Sequence, residues 1–316
     1  MKEALPRVDG DEKLRKLLLP YCRLEPGEVW RDPSAGHRIG VLDAAEPSQV
    51  ARLMAGEKAG LAVNDPPYNL AVGARASRAL FRRDLDGYIG FSRAWMGATL
   101  EALAGDAGLY VWLGADQNDG FQPLPDFMLM MRGFPELAAR SFITLRNQRG
   151  YGTQKNWMAV RQELLYYARG SPYFDVRAEY TDIPKLLRGY YKLVGGRRVE
   201  NLERGKSGFI RAGNVWVDVQ QVFYRLEENV PGCYAQKPLK AVERIVKAGS
   251  RPGGLVLDLF AHSGTTLLAC ERLGRRCFTA DIDPVFAEIS IRRLERWRAA
   301  GRTGWQTASP FPELAL

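Results

Sequence analysis

Apolar residues along this chain fall into two alternating kinds of stretch. Blocks without polar alternates, Leu61 to Val63 and Gly108 to Leu113, read as strands buried on both faces, as does Leu255 to Phe260, interrupted only by Asp258. His37 to Asp43, Arg140 to Leu145, Glu163 to Tyr167 and Cys277 to Ala280 are further short strands. Between them apolar positions recur at helical spacing: Val50, Leu53 and Met54 within Pro47 to Ala55, and Ile89, Trp95, Met96, Leu100 and Leu103 within 85 to 104. Helices are also expected over Asp11 to Leu19, Pro123 to Arg132, Leu267 to Leu273 and Pro284 to Ala300. Pro238 suits the first position of a helix running to Ala248, where its missing N–H is not needed. This alternation predicts parallel pairing and an α/β fold, an open, mostly parallel sheet with helices on both faces.

The alternation fails in three places. Residues 1–36 hold one peripheral helix and a Pro/Gly-punctuated loop with no candidate chemistry. Residues 170–230 are Gly-rich, basic and aromatic without a sustained period, which predicts an insert on the edge of the sheet. Residues 301–316 end Pro-rich and predict a loose tail. The core is thereby divided into 37–169 and 231–300.

Charge sharpens the picture of the insert. The chain carries a net charge of +9 over 316 residues, and residues 140–211, with 15 Lys or Arg against six Asp or Glu, account for all of it. Tyr151, Trp157, Tyr166, Tyr167, Tyr173, Phe174, Tyr180, Tyr190 and Tyr191 are interleaved with these charges, a composition that suits a polyanion-binding surface. No apolar run approaches 18 residues and the first 20 are charged throughout, so a soluble, cytoplasmic protein with no membrane partner is expected. Cys22, Cys233, Cys270 and Cys277 lack metal-type spacing, and His37 and His262 are the only histidines, so reduced thiols and no metal site are expected.

Two corners carry candidate chemistry. The first is Asn64-Asp65-Pro66-Pro67-Tyr68-Asn69-Leu70, directly after the strand Leu61 to Val63. Each proline fixes its own φ and restrains the preceding residue, so Asp65 and Tyr68 are held rigidly. The Asp65 carboxylate and the Pro66 carbonyl only accept hydrogen bonds, which suits a ligand offering two N–H donors on one planar atom, such as the exocyclic amino group of a nucleobase. Tyr68 could stack on its ring.

The second corner is Asp258-Leu259-Phe260-Ala261-His262-Ser263-Gly264-Thr265-Thr266, followed by a helix and a strand ending at Asp281. A small-residue loop at a helix N-terminus, with a carboxylate at the tip of the next strand, is the layout of a nucleoside-cofactor site. Asp281 lies 17 residues beyond Gly264, near the usual separation of about 20. The loop has no Lys of the kind that binds a nucleoside triphosphate.

Together these corners resemble the β-group amino-methyltransferases, which methylate DNA bases with S-adenosylmethionine. Asn64 to Tyr68 is similar to that group's Asp-Pro-Pro-Tyr catalytic motif, and Gln236-Lys237-Pro238 to the segment preceding its cofactor loop. Asp258 to Thr266 is similar to the loop itself, Asp281 to Pro284 to its acidic ribose-binding motif, and Trp157 to Tyr167 to the strand before its target-recognition insert. The order, catalytic motif first and cofactor loop near the C-terminus, is that of this permuted group.

The resemblance implies a Rossmann-like methyltransferase fold with 37–169 as the catalytic half, 170–230 as the target-recognition insert and 231–300 as the cofactor half. It implies Asp65, Pro66, Pro67 and Tyr68 as catalytic, and Asp43, Asn64, Asp65, Lys237, Asp258, Phe260, His262, Ser263, Gly264, Thr265 and Asp281 as cofactor-binding residues. Only one helix and a tail follow Asp281, so the strand ending at Asp43 is the one available to flank the cofactor strands. His262 stands where the family loop usually has Gly, and is read as a structural variant.

The implied partners are double-stranded DNA, a second copy of the chain and a cognate restriction endonuclease. The implied reaction is adenine-N6 methylation of a flipped base, with Asp rather than Ser at position 65 resembling the adenine form. Cytosine-N4 methylation, methylation of RNA or of a protein amide, and a catalytically inactive DNA-binding protein on the same fold are the other readings.

Overall fold

The structure, a computed structural model, describes residues 6–8, 11–68, 85–114, 123–153, 156–184, 191–200, 207–222, 225–234 and 236–314. The chain runs through α1 (Glu12–Leu18), β1 (Val29–Arg31), β2 (Arg38–Val41), α2 (Pro47–Met54), β3 (Ala59–Asn64), α3 (Leu85–Ala102), β4 (Leu103–Leu113) and α4 (Pro123–Met131). Two long strands follow, β5 (Leu137–Thr153) and β6 (Asn156–Arg169), then five short ones: β7 (Tyr180–Pro184), β8 (Tyr191–Val194), β9 (Arg197–Glu200), β10 (Phe209–Arg211) and β11 (Val215–Trp216). It closes with α5 (Leu239–Gly249), β12 (Leu255–Asp258), α6 (Thr265–Leu273), β13 (Arg276–Asp281) and α7 (Pro284–Ala300).

Among the described residues the main sheet has nine strands in the order β1-β2-β13-β12-β3-β4-β6-β5-β11. β2, β13, β12, β3 and β4 are parallel, so the expected α/β architecture is present, with β2 flanking β13 as the permuted order requires. The central strands feed two cores at once. On β3, Leu61 and Val63 pack with α5, α6 and α7 through Ile245, Leu268 and Ile291, while Ala62 belongs to the core formed with α2, α3 and α4 around Leu53, Trp95 and Phe127. Val256 and Leu257 divide the same way. A strand with cores on both faces has no use for polar alternates, which explains its continuous apolar pattern.

β5 does not continue the parallel series. β6 lies between β4 and β5, antiparallel to both, a reversal the apolar pattern does not encode because it is the same in either chain direction. Both strands are also longer than the sequence suggests. Glu163 pairs with Leu113, the last residue of β4, and the β5/β6 ladder continues beyond it through Arg146↔Arg161, Tyr151↔Ala159 and Thr153↔Asn156. The excess forms a two-stranded ribbon of ~20 Å past the C-terminal ends of the parallel strands, the end at which both candidate corners lie.

The tail is packed, contrary to the expectation of a loose end. Trp305 and Phe311 are buried in a third core with Leu14 and Leu18 of α1 and Val285 and Ile289 of α7, and Arg292 donates to the Pro310 carbonyl at 3.1 Å. Proline removed the periodicity there but not the aromatic area available for burial. Residues 170–230 contain the pairs β7/β10 and β8/β9, yet β11 joins the main sheet beside β5, and Trp216 packs in the core under α5. Asp218 fastens this stretch to α5 through a bidentate pair with Arg244, at 2.6 and 3.0 Å. Among the described residues no helix is long and apolar enough to cross a membrane.

Candidate active site

β3 delivers the first corner from the middle of the sheet. Asn64 at its end is fully buried; its Oδ1 accepts from the Leu259 N–H at 3.0 Å and its Nδ2 donates to Thr99 Oγ1 at 3.2 Å. These bonds tie the end of β3 to α3 and to the chain just beyond β12. The ladder then stops, because neither Pro66 nor Pro67 has an N–H to offer. Pro66 is buried and Pro67 exposed; Asn69 and Leu70 lie outside the described residues.

Each oxygen of Asp65 already holds a partner. Lys237 Nζ lies 2.6 Å from Oδ2, and the Tyr68 hydroxyl donates to Oδ1 at 2.7 Å. Burial, and after it the charge of Asp65, holds the Tyr68 phenol protonated well above its ordinary range, so its hydroxyl is the donor. Lys237 is 6% exposed, with its ammonium 5.0 Å from the Tyr68 ring centre and 5.4 Å from that of Trp112.

The second corner follows β12. Asp258 accepts from the Phe260 N–H at 2.9 Å. His262 takes φ +45°, unusual for a residue with a Cβ; its N–H donates to Asp281 at 2.9 Å and its ring packs 4.8 Å from that of Phe286. The other oxygen of Asp281 accepts from the Asp283 N–H at 3.0 Å. Gly264 starts α6 at φ +70°, and a Cβ on it would lie 2.9 Å from the Cα of Ser290 on α7. Only glycine meets both conditions.

The corners open into one cleft. Asp65, Lys237, Asp258, Phe260, His262, Ser263 and Thr265 line it, together with Val63, Trp112, Val242, Ala261 and Thr266. Asn64, Tyr68, Gly264 and Asp281 adjoin or bond to these residues. Asp43 is not among the lining residues. It lies one strand over, beside Asp281 through the bond from Leu42 N–H to the Asp281 carbonyl (2.9 Å), and its carboxylate accepts from the Ala45 N–H at 2.8 Å.

Burial pushes the carboxyls of Asp258 and Asp281 up to about 7, against hydrogen bonds that pull them down. Both take up protons on folding between about pH 4 and 7, so their ionisation costs stability as pH rises through that window.

Sequence reasoning missed Trp112 and Arg293. Trp112 is the penultimate residue of an apolar run and reads as core. Arg293, fully buried, sits between Ile289 and Leu294 on the buried face of α7. An arginine at a core position of a helix was the available signal.

Residues 60–292, which include both corners, match the DNA methylase family of N6 and N4 methyltransferases. The type II methyltransferase M1.MboII of Moraxella bovis is 28% identical over 251 residues, covering 74% of this chain and 90% of its own length. The type II methyltransferase M.HpaI of Haemophilus parainfluenzae is 25% identical over 237 residues, covering 74% and 68%. The solved M1.HpyAVI–SAM complex has a TM-score of 0.52 at 15% identity, over 81% of this chain and 98% of that one. The PvuII DNA methyltransferase (cytosine-N4-specific) has a TM-score of 0.57 at 12% identity, over 85% and 89%. The architecture is that of the Rossmann-like methyltransferases, and the chain belongs to the N6/N4 DNA methylase family.

Proposed function

We propose that the protein transfers a methyl group from S-adenosylmethionine to the N6 amino group of adenine in duplex DNA, with the target base flipped out of the helix. The observation that carries this reading is the shared cleft, with an acceptor-only diproline corner on one wall and a nucleoside-type loop on the other. The residues lining the cleft and those bonded to them fit the cofactor chemically. Asp281 and Asp258 are acceptors for ribose hydroxyls or an ammonium group, and the Lys237 amino group, a donor in the wall of the cleft, suits a carboxylate.

S-Adenosylmethionine, when bound, supplies a methyl group on a positively charged sulfonium. The work of the chain is on the base. Asp65 and the Pro66 carbonyl accept the two N–H bonds of the amino group and favour the pyramidal nitrogen that develops as its lone pair takes the methyl; the donor would leave as a neutral thioether, and the methylated nitrogen would lose one N–H proton through Asp65 to water. Each oxygen of Asp65 keeps a further lone pair for this beside its bond from Tyr68 or Lys237, and the Tyr68 ring next to it can stack on the base. Stacking returns about 1 to 3 kcal/mol of the cost of flipping. Asp rather than Ser at position 65 supports adenine over cytosine. Sequencing DNA for N6-methyladenine and N4-methylcytosine after expression in a methylation-free host tests the assignment; N4-methylcytosine alone would overturn it.

If ionised Asp281 and Asp258 accept from the cofactor, its affinity should rise as pH rises through about 7 and level off above. Calorimetry at pH 6 should show weaker binding than at pH 8, with protons released on binding. Equal affinity at both would dissociate these carboxylates from cofactor binding.

The duplex is met by the basic insert, where Arg197 and Arg198 stand exposed on the β8/β9 hairpin, and by the ribbon of β5 and β6. On the ribbon, Arg146 and Arg161 are paired directly across the strands, an arrangement of like charges that a phosphate would relieve. Trp157, near its turn, is 92% exposed. Trp157→Ala should weaken DNA binding by about five-fold to a hundred-fold, the value of one stacking contact, without changing S-adenosylmethionine affinity; unchanged DNA affinity by fluorescence anisotropy would remove Trp157 from the interface. Assembly into a dimer and pairing with a cognate restriction endonuclease complete the proposal, and sedimentation tests the first.

A further inference from the structure

We infer that Arg293 is a positioning residue that sets the cofactor loop in register with the Lys237–Asp65 wall of the cleft. The inference rests on the reading of that cleft as a methyl-donor site. Arg293 Nη1 donates to the Ser263 carbonyl at 2.9 Å and to Thr265 Oγ1 at 3.0 Å, so a single nitrogen spans Gly264, the bend of the loop. Nη2 donates to the Glu228 carbonyl at 3.3 Å and Nε to the Thr303 carbonyl at 2.7 Å.

Glu228 belongs to the other wall. Its carboxylate accepts from the N–H of Leu239, the first residue of α5, at 2.9 Å, and its carbonyl also accepts from Gln236 Nε2 at 2.9 Å. Those bonds flank Lys237 on both sides, and Lys237 holds Asp65. The guanidinium is therefore shared between the loop and the segment that presents the lysine.

The tail closes the junction. Trp305 N–H donates to the Asn229 carbonyl at 2.7 Å, and a Cβ on Gly304 would strike the Glu228 backbone. Arg293 is left fully buried, and the hydrogen-bond acceptors around it are three carbonyls and a hydroxyl. A buried arginine is ordinarily matched to a carboxylate. Here the planar fork is used for its geometry, to reach three separate segments at once, which an ammonium on a lysine stem does not reproduce.

The test compares wild type with Arg293→Lys by thermal melting without ligand, by calorimetric titration with S-adenosylmethionine, and by turnover at saturating cofactor and DNA. The expected result is a cofactor Kd at least ten-fold weaker and a kcat at least ten-fold lower, with the melting temperature within a few degrees of wild type. Kd and kcat within two-fold of wild type, whatever the melting temperature, would overturn the inference. Should Arg293→Lys not fold, Thr265→Val and Thr265→Ser report on the same coupling. Weakened binding in the first that is restored in the second supports it, and equal binding by both overturns it. Failure of the wild type to bind S-adenosylmethionine would defeat the reading of the cleft itself, before any variant is compared.

Discussion

Asp65→Ala is expected to slow methylation at saturating cofactor by ten-fold to more than a hundred-fold. Hydrogen bonds to a charged group contribute about 1.5 to 3 kcal/mol net, and each 1.36 kcal/mol in a barrier is ten-fold in rate. Loss of positioning adds to this, since an amino group held by the Pro66 carbonyl alone can swing away from the line of attack. A second effect follows from Lys237, which is 6% exposed and lies 2.6 Å from the carboxylate. Removing Asp65 leaves that ammonium buried without its counter-ion, and destabilisation should accompany the rate loss. Asp65→Asn, which retains an acceptor for the Tyr68 hydroxyl, should fall between alanine and wild type. Tyr68→Phe should keep most activity while Tyr68→Ala should not; equal losses would assign the role to the hydroxyl. A wild-type rate for Asp65→Ala, read as methylated bases per enzyme per unit time, would remove Asp65 from the chemistry.

Gly264→Ala should be the most damaging change in the loop from Ala261 to Thr266. Two independent penalties fall on one added methyl group. The residue sits at φ +70°, where an L side chain costs roughly 1 to 2 kcal/mol, and its Cβ would lie 2.9 Å from the Cα of Ser290. A backbone atom cannot rotate aside, so α6 and α7 must separate, and Ser263 and Thr265 would move off Arg293. A loss of about 3 kcal/mol corresponds, in a chain of this length, to a fall in melting temperature of about 4 to 5 °C, and S-adenosylmethionine binding should weaken in parallel. Wild-type melting and binding in the Gly264→Ala variant would show that the loop has another conformation. His262 shows that the loop tolerates a Cβ at positive φ where space allows: its ring has room to pack on Phe286, and its N–H is the group that Asp281 holds.

Much of this site is written in local chemistry. The apolar run ending at Asn64 and the two prolines after it mark a rigid corner, and the small residues from Ala261 to Thr266 mark a second one. Both are visible because φ restriction and strand burial are properties of neighbouring residues. The two corners lie far apart in the chain, and their order resembles the permuted arrangement, in which β2 lies beside β13.

Other features depend on what each surface meets after folding. The antiparallel insertion of β6 between β4 and β5, the burial of Trp305 and Phe311, and the length of the ribbon carrying Trp157 have no signature in periodicity. A buried strand has the same pattern in either direction, and proline conceals an aromatic tail that can still pack. The pairing of Asp65 with Lys237, and the reach of Arg293 to three segments, join residues between 10 and 172 positions apart. The sequence alone determined which groups are available and which bends are rigid, because covalent geometry and neighbouring sterics suffice for that. Which carboxylate faces which cation, and which arginine holds the loop, was decided only when the helices packed on the sheet, because long-range proximity is a property of the whole assembly.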